Sequence, residues 1–575
     1  ADGKRIFFQS NEGEDNALKS CDLNGNDMRI HFTSKYTNAF VPSPDNKWIA
    51  YKELFKVYVA AFPASGKTID LSANLSSLPS AQVARDAGIN LHWSGDGTKI
   101  HWTLGEEYFT NDLKNRFDFL PGAPEKIAAM DSVGIKINLI ADADKPKEIR
   151  ALTNARIITM KGDEVIEKGT IIITDNRITE IGTSVAVTIP QSAKITDCSG
   201  KTIMPGIVDV HAHLGTFRHG LSPQKQWSYN ANLAYGVTTT HDPSSNTEMV
   251  FSQSEMVKAG SMIGPRIFST GWILYGADGD FKAVINSLDD AKSAITRTKA
   301  FGAFSVKSYN QPRREQRQQV IEAALQQKIM VYPEGGSTSW YNLTHIIDGH
   351  TGVEHNLPFA PLFEDVTKLW GATKAGYTPT LIVCYGAING EDYMYERNEV
   401  WKKERLLKYT PRFIVEPRSR HRKIIPEEEY ENGHRLYARA CKKLLDAGVC
   451  VNLGAHGQLQ GMGAHWELWL LKEGGMTNME ALRCATMNGA KYLGMDTEIG
   501  SLEKGKLADI IIMDKNPLDD IHNSETVKYT MINGRLYDCD TMEEVGSEKK
   551  RSKFYWEGKY SGGFNWHQQA IGDED

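Results

Sequence analysis

No stretch of this chain is apolar for the roughly 18 residues that a helix needs to cross a bilayer, so no helical membrane anchor is expected. A basic excess is missing too. The 66 Lys and Arg face 72 Asp and Glu, a net charge of -6, which gives no footprint for nucleic acid or an anionic membrane. There is no Cys-x-x-Cys pair. The seven cysteines (Cys21, Cys198, Cys384, Cys441, Cys450, Cys484 and Cys539) are odd in number and scattered. They read as mostly reduced, buried thiols, with room for one disulfide, and they exclude a zinc ribbon. The start lacks both an initiator methionine and a charged-then-apolar leader. The chain is therefore expected to begin after a processing site or inside a longer gene product. What is present is ordinary for a globular protein: 41% apolar and 24% charged residues. A length of 575 residues exceeds one core, so two to four domains are expected. Sequons at Asn74 and Asn342 matter only if the protein is secreted.

A short phrase recurs near the amino terminus: Ala1-Asp2-Gly3-Lys4-Arg5-Ile6, Ser43-Pro44-Asp45-Asn46-Lys47-Trp48-Ile49 and Ser94-Gly95-Asp96-Gly97-Thr98-Lys99-Ile100. Each is a polar turn followed by a basic residue and a β-prone run. The aspartates stand 43 and 51 residues apart, the spacing of propeller blades. The phrase resembles the turn of TolB-like, WD40-like β-propellers. Residues 1–118 are accordingly expected to be partial propeller blades, followed over 119–150 by a linker with strand pieces. Two or three blades cannot close a ring. The upstream blades are expected on a partner chain or to have been removed.

From Ala151 three short strands follow one another, and a matching set returns near the end, in Gly505-Lys506-Leu507-Ala508-Asp509 and Ile510-Ile511-Ile512-Met513. Residues 151–203 and 494–545 read as one β-sandwich built from both ends. Between them, 204–493 alternates eight apolar strands with amphipathic helices, the pattern of a (β/α)8 TIM-like barrel. The predicted architecture is thus α/β: a barrel inserted in a small sandwich, preceded by a partial propeller. A tail, 546–575, carries Tyr555, Trp556, Phe564 and Trp566 and is expected to dock on a neighbouring surface.

His211 and His213 end the first barrel strand two residues apart, so a strand pleat would aim both at one ion. Neutral imidazoles suit zinc and similar divalent metals. The surrounding phrase, Thr202-Ile203-Met204-Pro205-Gly206-Ile207-Val208-Asp209-Val210-His211-Ala212-His213, closely resembles the first-strand motif of the amidohydrolase superfamily. The resemblance extends over roughly residues 150 to 540, through Gly236-Val237-Thr238-Thr239-Thr240-His241-Asp242 and Gly505-Lys506-Leu507-Ala508-Asp509. Joined to the TolB-like turns, it points to the propeller-fused branch. It implies a metal-dependent hydrolase of peptide-like or cyclic amides, with one or two zinc ions. By the same resemblance Lys307 is the bridging ligand, carboxylated by CO2, and His355 is the sixth-strand ligand. A strand-end lysine can equally be a plain solvated charge.

Two positions depart from that pattern. Glu334 stands where the fifth strand should end in histidine, and a carboxylate can still ligate zinc. His456 stands where the eighth strand should end in the aspartate that takes a proton from water. An imidazole bound to metal has lost its lone pair, so His456 can ligate or act as base, one at a time. Asp242, Glu334 and His465 are the other candidates for the proton. Cys384 and Tyr385, after the seventh strand, receive no role. The charged, aromatic segment 389–432 reads as a helical lid, and Arg418, Arg420 and Arg422 as a solvated face. The rival reading is an amidohydrolase-like binding or assembly protein with weak or no turnover. A homo-oligomer is expected, and the TolB-like resemblance favours a secreted or periplasmic setting over a cytoplasmic one.

Overall fold

Ser43 and Ser94 open the same turn. Ser43 Oγ donates to Asp45 Oδ1 (2.7 Å) and accepts from the Trp48 amide (3.0 Å), while the Lys47 amide donates to Asp45 (3.1 Å). Ser94 repeats the pattern with Asp96 (2.6 Å), the Lys99 amide (3.0 Å) and the Thr98 amide (3.1 Å). Each turn joins two antiparallel strands, Thr37–Pro42 to Trp48–Glu53 and Ile89–Trp93 to Lys99–Leu104. Asn46 and Gly97 supply the left-handed residue that such a tight reversal needs. The structure, a computed structural model, describes residues 3–63, 65–216, 222–277, 282–420 and 424–557, without the Arg420 side chain. Ala1 and Asp2 of the first repeat lie outside the described residues, as do Arg422, Phe564 and Trp566.

The chain divides into two units. The first comprises Ala1–Ile140 and Trp272–Ile329. Its amino-terminal part forms three four-stranded sheets, antiparallel except where the short Ile69–Asp70 runs parallel to Arg29–Ser34. The segment expected to be a linker contributes a strand: Ile135–Lys136 pairs with Glu107 and Tyr108 in the third sheet. Residues 272–329, expected with the middle domain, join this first unit. The reason is packing. Arg297, on the helix Leu288–Lys299, lies over the Phe55 ring, and Ala300 meets Gly105 so closely that a Cβ there would collide. The strands Leu274–Tyr275 and Ser305–Tyr309 run parallel in the same unit.

The second unit comprises Ala141–Gly271 and Met330–Asp575. Its main sheet has eight strands and draws on both ends of the chain, with Thr202–Pro205 antiparallel to Ile510–Met513. Ile510 and Ile512 join one core with Ile157, Ile171 and Ile203, whereas Ile511 and Met513 join another with Met204 and Val527. A strand buried on both faces explains the unbroken apolar run. Beyond the sheet, Ile207–Asp209, Val237–Asp242 and Arg266–Ser269 lie parallel side by side, and Gly352–Glu354 lies parallel to Gly376–Thr378. Among the described residues no single sheet closes into a ring. The seventh strand ends at Thr378, because Pro379 lacks an amide and Thr380 turns left-handed at φ 48°. The eighth is reduced to one bridge, Tyr377 to Val451.

The segment expected to be a lid forms the helices Gly390–Arg397, Glu404–Tyr409 and Arg412–Arg420, and its Tyr395 and Tyr409 are buried in the main core. The tail docks within the second unit: Trp556 Nε1 donates to the Lys408 carbonyl (3.2 Å), and Phe554 stacks on Trp556. All seven cysteines are free. Asn342 is buried with its amide on the Gly336 backbone, which leaves it no room for a glycan. Among the described residues no helix is long and apolar enough to cross a membrane.

Asp509, the last residue of the returning phrase, accepts from Arg266 at 2.6 and 3.1 Å and from the Asn533 amide at 2.8 Å. Removing it leaves a mostly buried guanidinium without its carboxylate. Asp509→Ala is expected to destabilise the protein by about 2–3 kcal/mol, measured by urea unfolding; a change under about 0.5 kcal/mol would deny Asp509 this role.

Candidate metal centre

The strand Ile207–Asp209 stops before His211, so its pleat does not aim the histidines. Backbone bonds to both sides do. The Val210 amide donates to Leu453 O, the Ala212 amide to His241 O and the His456 amide to His211 O (2.7 Å). His213 then turns left-handed, at φ 25°, and its ring swings back toward His211. The two Nε2 atoms come to 3.1 Å. The ligating atoms of His211, His213 and His456 all lie within 4.8 Å of one another. His355 joins them, its ring centroid 4.8 Å from that of His211 and 5.2 Å from that of His456.

Carboxylates stand behind the rings. Glu354 Oε2 lies 2.6 Å from His211 Nδ1, and Glu354 Oε1 accepts from the Tyr492 hydroxyl (2.7 Å). Asp242 Oδ1 lies 3.5 Å from His213 Nδ1. The short Glu354 contact favours the His211 tautomer with its proton on Nδ1, which directs the Nε2 lone pair toward His213. Asp242 also accepts from the amides of Leu214 (3.0 Å) and Ser244 (3.1 Å), which anchors the carboxylate. Glu334 Oε1 lies 3.0 Å from His355 Nε2, and Thr380 Oγ1 lies 2.8 Å from His355 Nδ1.

Asp209 holds the centre from below. Its Oδ1 accepts from the amides of His211 and Ala455, each at 3.1 Å. Complete burial pushes its carboxyl up to about 6. Gly457, at φ 69°, closes the turn after His456, and a Cβ there would run into the His213 carbonyl. Glu467, on the helix Met462–Glu473, accepts from the amides of Leu381 and Ile382, both at 2.8 Å, and so fixes the loop that carries Thr380 and Tyr385. Burial pushes its carboxyl up to about 8 against the pull of those amides.

Tyr385, given no role from sequence, is at the centre. Its ring stacks on His355 at 4.2 Å and its hydroxyl lies 3.4 Å from His456 Nε2. It remains 44% exposed, and burial of the rest pushes the phenol up to about 12, so it is a neutral donor. Asp209 and Glu354 were also missed, although Asp209 stands inside the first-strand motif and Glu354 directly precedes His355. His465 is elsewhere: Nε2 lies 2.9 Å from the Tyr235 carbonyl and Nδ1 3.0 Å from Ser524 Oγ. It packs the end of the helix Trp227–Ala234, and burial pushes its pKa down to about 4, which corrects its reading as a proton acceptor. Lys307 belongs to the first unit, on Ser305–Tyr309. At 1% exposure it is no solvated charge, and its ammonium lies 5.5 Å from the Tyr309 ring centroid.

Residues 435–537 match the model of the amidohydrolase family. That segment is similar to the amidohydrolase family. A 110-residue stretch is 31% identical to a 5′-deoxyadenosine deaminase of Methanobrevibacter smithii, covering 17% of this chain and 25% of that protein. A 78-residue stretch is 37% identical to an imidazolonepropionase of Sphingopyxis alaskensis, covering 13% and 18%. The chain thus spans a quarter or less of the length of these curated relatives. Its fold resembles that of a Xaa-Pro dipeptidase solved with methionine in its active site. The TM-score is 0.53 at 21% identity, over 68% of this chain and 100% of that one.

Two substitutions test the supporting shell. Glu467→Gln keeps the shape but puts an amide N–H against a backbone donor, with an expected loss of about 1–3 kcal/mol. Glu467 has a folded pKa raised above its unfolded value, so its stabilisation is complete below about pH 4.5 and is lost as pH rises toward about 8. Urea unfolding from pH 4 to 8 should show that slope in the native protein and a flatter one in Glu467→Gln; parallel slopes would refute it. His465→Gln is expected to lower stability while leaving divalent-metal stoichiometry unchanged, and a lost metal equivalent would return His465 to the site.

Proposed function

We propose that this chain is a metal-dependent hydrolase that cleaves carbon–nitrogen bonds in amide substrates, peptide-like or cyclic. One observation carries the reading: His211 and His213 present Nε2 to Nε2 at 3.1 Å with a carboxylate behind each ring. Two ring nitrogens held that close need either a proton or a metal cation between them. The donor set fits a zinc-like ion, whose imidazole ligands sit at about 2.0–2.1 Å. His211, His213 and His456 would hold it, with His355 and Glu334 beside them. A divalent ion bound there supplies Lewis-acid chemistry, acidifying water and polarising a carbonyl oxygen.

The protein's own groups do the rest. With His456 ligating, Asp242 anchored by two amides and His465 buried elsewhere, Glu334 is the carboxylate best placed to take a proton, with His355 beside it. Tyr385 donates its hydrogen bond to the oxygen of the scissile group, where charge gathers. The three four-stranded sheets support partial propeller blades, and the parallel strands with their helices support a (β/α)8 barrel inserted in the two-ended sheet. His456 in place of an aspartate favours the second reading, a barrel that binds without turnover.

Metal analysis tests the proposal. Purified protein is expected to carry at least one equivalent of divalent metal, and His211→Ala or His213→Ala less than about a tenth of that. Less than about half an equivalent in the native protein would sink the hydrolase reading; full metal without hydrolysis of a dipeptide, cyclic-amide and ester panel would favour the binding reading. On whichever substrate turns over, Tyr385→Phe should lower kcat about a hundredfold with metal content and KM unchanged. An unchanged kcat would remove Tyr385 from the chemistry.

A further inference from the structure

A second constellation lies in the first unit, formed by residues that the proposed chemistry does not use. Arg297, on the helix Leu288–Lys299, is 6% exposed. Its guanidinium lies 3.3 Å from the centroid of the Phe55 ring, yet it forms no ion pair among the described residues, and Nη2 has no hydrogen-bond partner. Glu53, 9% exposed, likewise has an Oε2 without a partner. Both line one cavity of about 220 Å³, together with Phe55, Tyr58, Ser293 and Ala294. The nearby acids are engaged elsewhere: Asp290 caps its helix through Ser287 and the Asn286 amide, and Asp86 faces Arg85.

Backbone strain marks the same place. The hairpin between Trp48–Glu53 and Lys56–Ala61 turns through Leu54 (φ 45°) and Phe55 (φ 84°). Two-residue turns of that kind favour Asn and Gly, and bulky residues there are strained. The strain sets the Phe55 ring against Arg297 at the cavity wall.

A buried guanidinium nitrogen and a buried carboxylate oxygen without hydrogen-bond partners are each costly, and the two groups share one cavity without meeting. A metal cation would satisfy Glu53 and leave Arg297 unmet; an inorganic anion would do the reverse. A molecule carrying both charges satisfies both. The volume equals roughly seven waters at about 30 Å³ each, room for a short apolar side chain against Phe55 and Ala294. We propose that this cavity binds a small zwitterionic α-amino acid, its carboxylate forked by Arg297 and its ammonium received by Glu53.

Calorimetric titration of the full chain with glycine, alanine and proline tests it, with acetate and methylamine as the two halves. At least one amino acid should saturate a single site, and each half should bind about tenfold more weakly or worse. Arg297→Met and Glu53→Gln should each weaken the amino acid about tenfold, while His211→Ala, in the other unit, leaves it unchanged. Ala294→Phe fills the cavity with both charges in place and should abolish binding, which keeps the test decisive if Arg297→Met fails to fold. The proposal is overturned if none of the three amino acids binds, if acetate binds as tightly, if Ala294→Phe binds normally, or if His211→Ala alone removes the signal.

Discussion

The carboxylate of Asp209 accepts two backbone hydrogen bonds, one from His211 and one from Ala455, and through them sets where two separate parts of the chain meet. Those residues stand almost 250 positions apart in sequence. Without the clamp, the end of the first parallel strand and the turn carrying His456 would have only the His211–His456 backbone contact and side-chain packing to fix their separation. The price of the arrangement is a buried acid, visible in a carboxyl pushed up to about 6. Everything the imidazoles can do depends on that spacing, because two lone pairs converge only where both backbones are held.

Around the clamp the chain stores strain where the chemistry is expected. His213, His355, Thr380, Cys384 and His456 all adopt left-handed backbone angles that side-chain-bearing residues avoid. Each is held by something specific. His355 has Thr380, the loop after Thr380 has Glu467, and the turn after His456 has Gly457 against the His213 carbonyl. These supports are buried and mostly hydrogen-bonded to backbone, so they resist relaxation into easier conformations.

The sequence showed the parts of this arrangement that depend on residue type and local spacing. The repeated Ser-x-Asp turns were legible because Ser and Asp bond their own neighbours, a purely local event. The two-ended sheet was legible from apolar runs. His211, His213 and His456 could be named by motif position, and His211 and His213 were expected at one ion, but the cause was missed: their convergence comes from backbone bends that follow the strand and not from its pleat. Tyr385 was invisible for the same reason: only the turn after Pro379 brings its ring onto His355. His465 misled because a histidine on an apolar helix looks the same in sequence whether it faces a site or the Tyr235 carbonyl. Lys307 could be read as a ligand or a solvated charge, and its burial removes only the second.

The pairing of Ile203 with Ile512 has a consequence for how the protein is made. During synthesis the strand Thr202–Pro205 emerges about 300 residues before its partner Ile510–Met513. At roughly 5–20 residues per second that interval is about 15–60 s. Throughout it, one edge of an apolar strand stays open while the segment that carries all four histidines of the centre is translated. The nascent chain therefore passes through a long aggregation-exposed interval, and the returning strands Ile510–Met513 and Val527–Ile532 act as the latch that ends it.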